Sequence, residues 1–478
     1  MSDDLDVLIL GAGLSGIGAA CQLTRQHPAT TYAVLEAREV SGGTWDLFRY
    51  PGIRSDSDMF TLGYRFRPWT GTVALADGPS ILDYVRETAK EYGVDAHIRY
   101  DHRVVSAEWD REAARWTVTV ETPAGEKRLT CAFLWSCTGY YDFEQGHQPE
   151  LPGLGEYAGD VIHPQHWPED FDPAGKRVVV IGSGATAVTL VPALAETAAH
   201  VTMLQRSPTY ILSVPSEDGL AVRLAKVLPR RTAYAATRWK NILISSGLYK
   251  LSRRRPDLVR RFIRKATAGA VPGIDVDTHF NPRYDPWDQR LCLVPDGDLF
   301  RALRHGTADV VTDTIETFTP TGIRLASGAE IEADAVVTAT GLKLKPFGGI
   351  RLVVDGDEVR LPQTMAYRAL MLSGVPNFAY TIGYTNASWT LKADLVGDYV
   401  CRLLSHLQAH GLREVVPVRD ESLAEEPFLD FKAGYVLRAL AELPVQGARE
   451  PWKLRQSYLH DVRTIRTAPI DDGALSFR

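Results

Sequence analysis

Three glycines behind an apolar run are the first residues whose spacing suggests chemistry. Gly11, Gly13 and Gly16 stand between a run of strand length and an alanine-rich stretch. In a strand–turn–helix unit, the first glycine permits a tight turn, the second lets the backbone approach a pyrophosphate, and the third lets helix and strand pack closely. Glu36 ends the next predicted strand, where a carboxylate can bind a ribose hydroxyl and would repel a 2′-phosphate. The unit predicts a site for FAD or NAD rather than NADP.

A second turn of the same kind lies in mid-chain. Its candidate nucleotide contacts are Gly182, Ser183, Gly184 and Thr186. Ala187 replaces the third glycine, a substitution that the fingerprint allows. Arg206 and Ser207 follow the next predicted strand in place of an acid, and a guanidinium with a hydroxyl can pair with a 2′-phosphate. The second unit therefore predicts NADPH; the alternative is that Arg206 is a solvated surface arginine.

Two further stretches, 42–56 and 157–168, accompany the nucleotide units but specify no chemistry by residue type. Taken alone, Trp45 is more typical of a core and Asp56 of a turn or a helix cap. A single loop histidine such as His163 is usually a hydrogen-bonded structural residue.

Composition and charge exclude several classes of protein. The chain has 478 residues, of which 45% are apolar and 23% charged, as in ordinary globular proteins of two or three domains. A formal net charge of −6 gives no global attraction for nucleic acid. The five cysteines are scattered without a CxxC pair, so neither a metal site nor a dithiol redox centre is predicted. The acidic N-terminus resembles no signal peptide, and we expect a cytoplasmic enzyme without a membrane span.

The elements that position these residues repeat in order. Apolar runs at 5–10 and 178–181 each precede a glycine turn, a helix and a second strand, at 31–35 and 201–204. The sequence thus predicts an α/β fold with two Rossmann-like, three-layer dinucleotide-binding domains. Near the C-terminus, Ser388 can cap a long amphipathic helix that Gly411 should end.

The segment 211–270 shows helical patterns and no strand signal. From 223 to 265 it holds fourteen Lys or Arg and one acid, Asp257. Three interpretations remain open: solvated helix faces, an oligomer contact, or peripheral attachment to an anionic membrane.

At this point the sequence resembles a known family. The stretch 157–168, with its Trp-Pro ending between two nucleotide motifs, resembles the fingerprint of class B flavoprotein monooxygenases, and of their Baeyer–Villiger branch in particular. The stretch 42–56 resembles the second signature of that branch. Segments 45–52, 281–300 and 384–390 are similar to the actinobacterial, ethionamide-activating type. One departure is Tyr157, where the usual pattern has Phe.

The resemblance covers the whole chain and implies its domain organisation. It implies an FAD domain and an NADPH domain, each in two parts, around a helical insertion. The expected order is FAD domain 1–145, NADPH domain 146–210, helical insertion 211–285, NADPH domain 286–372 and FAD domain 373–478.

It also implies an activity and site residues. We expect NADPH- and O2-dependent oxidation of ketones to esters or lactones, and oxygenation of sulfides or thioamides, through a flavin C4a-peroxide. Arg290 matches the active-site arginine of the family and Asp56 the acid that aligns it; His163 and Trp167 match residues at the domain junction. The remaining predicted cofactor contacts are Gly43, Thr44, Trp45 and Val104, with Asp56 and Arg290 themselves.

Other functions stay open on the sequence alone. One is a sulfide- or amine-oxidising flavin monooxygenase without ketone activity. Another is an NADPH oxidase or reductase, although the missing cysteine pair disfavours a disulfide reductase. The expected partners are O2 and a small lipophilic substrate, with contacts of the basic insertion to a membrane or a second copy left open.

Overall fold

The computed structural model describes residues 3–478. The strands are, in chain order, β1 Asp4–Leu10, β2 Tyr32–Leu35, β3 Ile98–Arg99, β4 Arg103–Asp110, β5 Arg115–Thr122, β6 Gly125–Ser136, β7 Asp160–Ile162, β8 Arg177–Ile181, β9 His200–Gln205, β10 Ile211–Val214, β11 Cys292–Pro295, β12 Ala308–Thr312, β13 Ile315–Thr319, β14 Gly322–Leu325, β15 Glu330–Glu332, β16 Ala335–Thr338, β17 Arg351–Val354, β18 Asp357–Glu358, β19 Ala366–Tyr367, β20 Met371–Leu372, β21 Phe378–Tyr380, β22 Val415–Pro417, β23 Glu425–Pro427, β24 Val445–Gly447 and β25 Leu475–Phe477.

The α-helices are, in the same order, α1 Leu14–Gln26, α2 Thr44–Leu47, α3 Met59–Leu62, α4 Gly78–Glu91, α5 Ala185–Leu194, α6 Gly219–Val227, α7 Arg230–Arg254, α8 Pro256–Ala270, α9 Val276–His279, α10 Asp298–His305, α11 Trp389–His410, α12 Gly434–Ala439 and α13 Tyr458–Asp461.

The first glycine turn belongs to a large mixed sheet. Its central strand β1 pairs in parallel with β2 and with the second half of β6. The first half of β6 continues an antiparallel meander with β5 and β4. Because β1 is covered on both faces, its run 7–10 is fully apolar and buried.

Part of this sheet comes from a segment assigned above to the other domain. β17 pairs in parallel with β4, and β18 pairs with β17, so both extend the first sheet. The expected NADPH segment 286–372 therefore contains strands of the first sheet. Such short edge strands have no sequence signal of their own, because pairing with a distant partner is what defines them.

The second glycine turn belongs to a five-stranded parallel sheet in the order β12, β9, β8, β16 and β7. Val178 and Val180 of β8 and Leu190 and Val191 of α5 are buried in one apolar core on this sheet. The two strand–turn–helix units lie where the sequence predicts them.

Helices α6 to α9 form the insertion between the strands of the second domain. The expectation of helices alone in 211–270 is wrong at its start, because β10 pairs in parallel with β11 some eighty residues later. A four-residue strand with one partner depends on that distant pairing more than on its own pattern. Within residues 3–478, no helix is long and apolar enough to cross a membrane.

The long C-terminal helix differs from expectation only at its first turn. Gly411 ends α11 with φ of 63°, in the left-handed conformation that suits glycine. Ser388 precedes α11, but its hydroxyl lies 2.6 Å from that of Thr61 and does not cap the helix. The contact joins α11 to α3 and gives the buried Ser388 hydroxyl a hydrogen-bond partner.

Candidate active site

The first glycine turn is closed by backbone packing. Gly11 has φ of +97°, and a Cβ there would lie 2.7 Å from the carbonyl oxygen of Cys137. A Cβ on Gly16 would lie 1.8 Å from the carbonyl oxygen of Gly11, and one on Gly43 would lie 2.9 Å from the Cα of Gly13. Side chains at these positions would force the strand, turn and helix apart, so the N-terminus of α1 stays open to a phosphate only with glycine.

Glu36 at the end of β2 holds this turn in place. Its carboxylate accepts hydrogen bonds from the backbone N–H of Ala12 at 2.8 Å and of Arg38 at 3.1 Å. Burial raises the pKa of Glu36, and these N–H groups partly offset that rise. The carboxylate also lines the cavity described below, where its remaining lone pairs can accept ribose hydroxyls.

The second turn is more open. Gly182 has φ of +137° and packs on Ala339, whose carbonyl oxygen would lie 2.4 Å from a Cβ, but a Cβ on Gly184 would meet no atom within 4 Å. The Ser183 hydroxyl lies 3.0 Å from the carbonyl oxygen of Ser207. Exposed Arg206 has no carboxylate within ion-pair distance in the part of the chain that the structure describes. The space and the unpaired guanidinium suit a phosphorylated nucleotide.

Both turns open into one cavity of about 980 Å³, near the upper end of the usual range for ligand sites. Of the predicted site residues, those on its wall are Gly11, Gly13, Glu36, Gly43, Thr44, Trp45, Asp56, Val104, Gly182, Ser183, Gly184, Thr186, Arg206 and Arg290. Gly16 and Ser207 do not line it: the first lies under the turn, and the second contributes its carbonyl to Ser183.

Arg290 and Asp56 form a two-pronged ion pair on this wall. The Arg290 Nε lies 2.6 Å from Asp56 Oδ2, and an Nη donates to Oδ1 at 2.7 Å. Gly52, with φ of +75°, lets the loop that carries Asp56 lie against α5, where a Cβ would approach the Thr189 carbonyl oxygen to 2.9 Å. The Asp56 charge raises the pKa of Arg290 above its already high ordinary value, so the guanidinium is charged at neutral pH.

Aromatic residues that the sequence did not single out complete the wall around Arg290. Tyr140 stacks on Trp389 with ring centroids 5.2 Å apart, and its hydroxyl interacts with that of Tyr435. The Tyr141 hydroxyl lies 2.6 Å from that of Thr44, and burial raises its pKa to about 12. Tyr140 and Tyr141 follow the carboxyl end of β6, which pairs in parallel with β1, and residues at that position commonly line a ligand site, so the sequence could have indicated them. No feature of the sequence marks Tyr435, on α12, as a site residue.

His163 and Trp167 lie off the cavity. The Nδ1 of His163 accepts the backbone N–H of Gln165 at 3.2 Å, burial lowers its pKa, and its Nε2 is buried without a partner among residues 3–478. Trp167 packs edge-on against Phe171 at 5.6 Å. The junction role expected of the two residues stays a prediction.

The donor sets fit two dinucleotides. The closed first turn with its buried carboxylate suits the pyrophosphate and ribose of FAD, and the open second turn with Arg206 suits a nucleotide that carries a 2′-phosphate. A fold of this kind, with a permanently cationic side chain on the wall of the cavity that both turns share, defines a two-dinucleotide flavoprotein oxidoreductase.

Known proteins narrow this class. Residues 75–250 match the model of flavin-binding monooxygenase-like proteins, and residues 9–84 match that of NAD(P)-binding Rossmann-like domains. The chain is 57% identical to the FAD-containing monooxygenase EthA of Mycobacterium tuberculosis, over 100% of this chain and 98% of that protein. It is 49% identical to the probable FAD-binding monooxygenase AlmA of Acinetobacter baylyi, over 100% and 97%. The chain belongs to the family of FAD-containing monooxygenases.

Solved structures share the fold across the whole chain. An oxidized steroid monooxygenase bound to NADP superposes with a TM-score of 0.78 at 22% identity, covering 99% of both chains. The OTEMO complex with FAD and NADP gives 0.77 at 20% identity over 100% of both chains. The predicted monooxygenase class, its FAD and the fold with two dinucleotide-binding domains are confirmed, and the predicted pairing of FAD with NADP accords with these neighbours.

Proposed function

We propose that this monooxygenase uses NADPH and O2 to convert ketones into esters or lactones and to oxygenate the sulfur of sulfides or thioamides. The observation that carries the proposal is the Arg290–Asp56 ion pair on the wall of the cavity that both glycine turns share. One of the two solved structures is a steroid monooxygenase bound to NADP and the other is OTEMO in complex with FAD and NADP, which supports the choice of cofactors.

Bound FAD, reduced by NADPH, supplies the activation of O2. The chain's own contribution is to fix charge where oxygen becomes negative during attack on a carbonyl carbon. The Arg290 guanidinium donates from several N–H groups and cannot lose its proton, so it stabilises an oxyanion without taking part in proton transfer. Asp56 holds the guanidinium plane with two hydrogen bonds and leaves its other N–H groups free for the reacting oxygen.

The aromatic wall supports the same role. Tyr140, Tyr141 and Trp389 pack on one another and line the cavity together with Arg290, whose side chain stays 36% exposed. Aromatic rings beside a charge lower the local dielectric and so strengthen its electrostatic effect. The Tyr435 hydroxyl interacts with that of Tyr140 on the same cavity wall. The rings offer apolar contacts to a small lipophilic substrate, and the polar groups of the cavity can orient it.

The test is Arg290→Ala, assayed with one ketone and one thioether. Reduction of the bound flavin by NADPH without oxygen should stay within a few-fold of the parent, while ester formation should fall by about 10²–10³, the usual loss when a preorganised oxyanion donor is removed. Arg290→Lys keeps the positive charge but loses the planar, two-pronged hydrogen-bond donor. Its rate of ester formation should therefore lie between that of the parent and that of Arg290→Ala.

Arg264→Ala is the matched control, because Arg264 also pairs with an aspartate, Asp277, but on the exposed surface of the insertion. FAD content and thermal melting of each variant exclude misfolding. Undiminished ester formation by a folded, FAD-loaded Arg290→Ala enzyme would show that this arginine is not the catalytic one. Thioether oxidation without any ketone oxidation in the parent would reassign the enzyme to the sulfide-oxidising type.

A further inference from the structure

The helical insertion carries most of the exposed apolar side chains of the molecule. Among residues 3–478, fourteen large apolar side chains are exposed, and nine of them fall between 220 and 262. These nine are Leu220, Val227, Leu228, Trp239, Leu243, Ile244, Leu251, Leu258 and Phe262. Scattered single exposures need no explanation, but such a concentration on three consecutive, contacting helices marks a contact surface.

The same helices carry cations that the protein does not neutralise. Of the fourteen Lys and Arg in 223–265, five pair with carboxylates of the protein. The other nine are exposed and have no carboxylate within ion-pair distance in the described chain: Arg223, Lys226, Arg230, Arg231, Lys250, Arg254, Arg255, Arg261 and Lys265. We call the nine apolar and nine cationic side chains together the cationic surface.

Helix α8 shows how the two kinds of side chain are arranged. Val259 and Ile263 are buried on its inner face. Leu258 and Phe262, four residues apart and therefore on one face, are 52% and 60% exposed. Arg261 and Lys265 stand beside them at a spacing of three, so the outward apolar stripe is edged by cations.

This arrangement suits a lipid leaflet better than a protein partner. The centre of a protein interface is depleted in charged residues and especially in Lys. A helix that lies in a membrane surface instead combines Trp, Phe and Leu with many Lys and Arg, whose long arms reach back to the head groups. The excess of cations then complements anionic phospholipid.

We infer that the cationic surface docks this monooxygenase onto an anionic phospholipid leaflet, with Leu258 and Phe262 entering the head-group layer. Docking is independent of the reaction proposed above. Helix α7, which carries part of this surface, nevertheless contacts the active-site loop: Tyr249 packs edge-on against Trp287, and Arg253 binds Asp288 at 2.7 Å, two residues before Arg290.

The experiment is co-sedimentation of the FAD-loaded full chain with vesicles. One set contains phosphatidylcholine alone and the other also contains phosphatidylglycerol at roughly one lipid in three. We expect binding to the anionic vesicles only, and release by added salt. The double variant R261E/K265E should bind at least about twenty-five-fold more weakly, since each cation beside an anionic leaflet contributes about a fivefold gain. Phe262→Ser should bind more weakly without losing the salt dependence.

The matched controls change the same chemistry elsewhere. K127E/R128E alters the net charge equally on exposed β6, and Val418→Ser removes a side chain that is 55% exposed outside the insertion. Both should bind as the parent does. Turnover of a water-soluble thioether is followed in every variant, so that loss of vesicle binding is distinguished from failure of the proposed reaction.

Two results would overturn the inference. One is equal binding to both vesicle types irrespective of salt, or none to either. The other is self-association in sedimentation velocity that R261E/K265E abolishes, which would make the surface a contact between copies of the chain.

Discussion

Arg206→Ala tests whether the second nucleotide site recognises a 2′-phosphate. Arg206 is exposed and directly follows β9, just as Glu36 directly follows β2 in the first site. It has no carboxylate partner in the described residues. A hydrogen bond to a charged group contributes about 1.5–3 kcal/mol, which corresponds to about 10- to 150-fold in kcat/KM. Because exposure and salt screen the interaction, we expect about tenfold, at the lower end.

The assay compares kcat/KM for NADPH and NADH in the parent and the variant. NADPH should lose about tenfold and NADH less than twofold, because NADH lacks the phosphate that the guanidinium would bind. Raising the ionic strength should reduce the preference of the parent for NADPH over NADH, measured as the ratio of kcat/KM values, and should leave that ratio unchanged in the variant.

Arg324→Ala provides the control, since Arg324 is an exposed arginine of the same domain that pairs with Glu330 on β15. It should leave both coenzymes unaffected. An equal loss for NADPH and NADH in Arg206→Ala would refute the reasoning, because it would mean that Arg206 stabilises the site without reading the phosphate.

The remaining predictions concern the glycine turns and the thiols. Gly16→Ala should abolish FAD incorporation, because its Cβ would lie 1.8 Å from a backbone oxygen. Gly184→Ala should keep the FAD and affect only the KM for NADPH, because no atom lies within 4 Å of the new Cβ. FAD content is measured by absorbance, and an equal loss of FAD in the two variants would contradict the prediction. All five cysteines are buried, and burial raises the pKa of Cys21, Cys137, Cys292 and Cys401 to about 12. Thiolate forms only as pH rises toward the pKa, so the folded protein at pH 8 should incorporate less than one equivalent of iodoacetamide, measured by mass spectrometry. Monooxygenase turnover should be unaffected by the treatment. Rapid labelling that stops turnover would instead indicate a mechanism that uses a thiol.

Both nucleotide units could be predicted because their chemistry is local. A buried strand, a glycine turn and a helix follow one another within a few residues, so the sequence predicts the turn conformations of Gly11 and Gly182 and the close packing at Gly16. Glu36 and Arg206 likewise occupy fixed places after the next strand. The long helix α11 could likewise be predicted, because apolar residues recur along it with helical spacing and Gly411 stands at its end.

The Arg290–Asp56 pair could be predicted only from the resemblance to the family. Arg290 and Asp56 are 234 residues apart, and no periodicity or composition connects an arginine in one loop with an aspartate in another. The structure brings them together because the loop of Asp56 packs on α5 of the second domain. Tyr435 reaches the same wall from α12, at still greater distance in the chain, and no sequence signal marked it.

The sequence by itself determined that two dinucleotides are bound, which residues form each turn, and where the basic insertion lies, because these features depend on neighbours along the chain. Only the tertiary structure decided that β17 and β18 join the first sheet, that β10 is a strand, and that both turns open into one cavity with Arg290 on its wall. The physical reason is that pairing and packing between distant segments are selected by the buried surface they create together, and that surface exists only once the chain has folded.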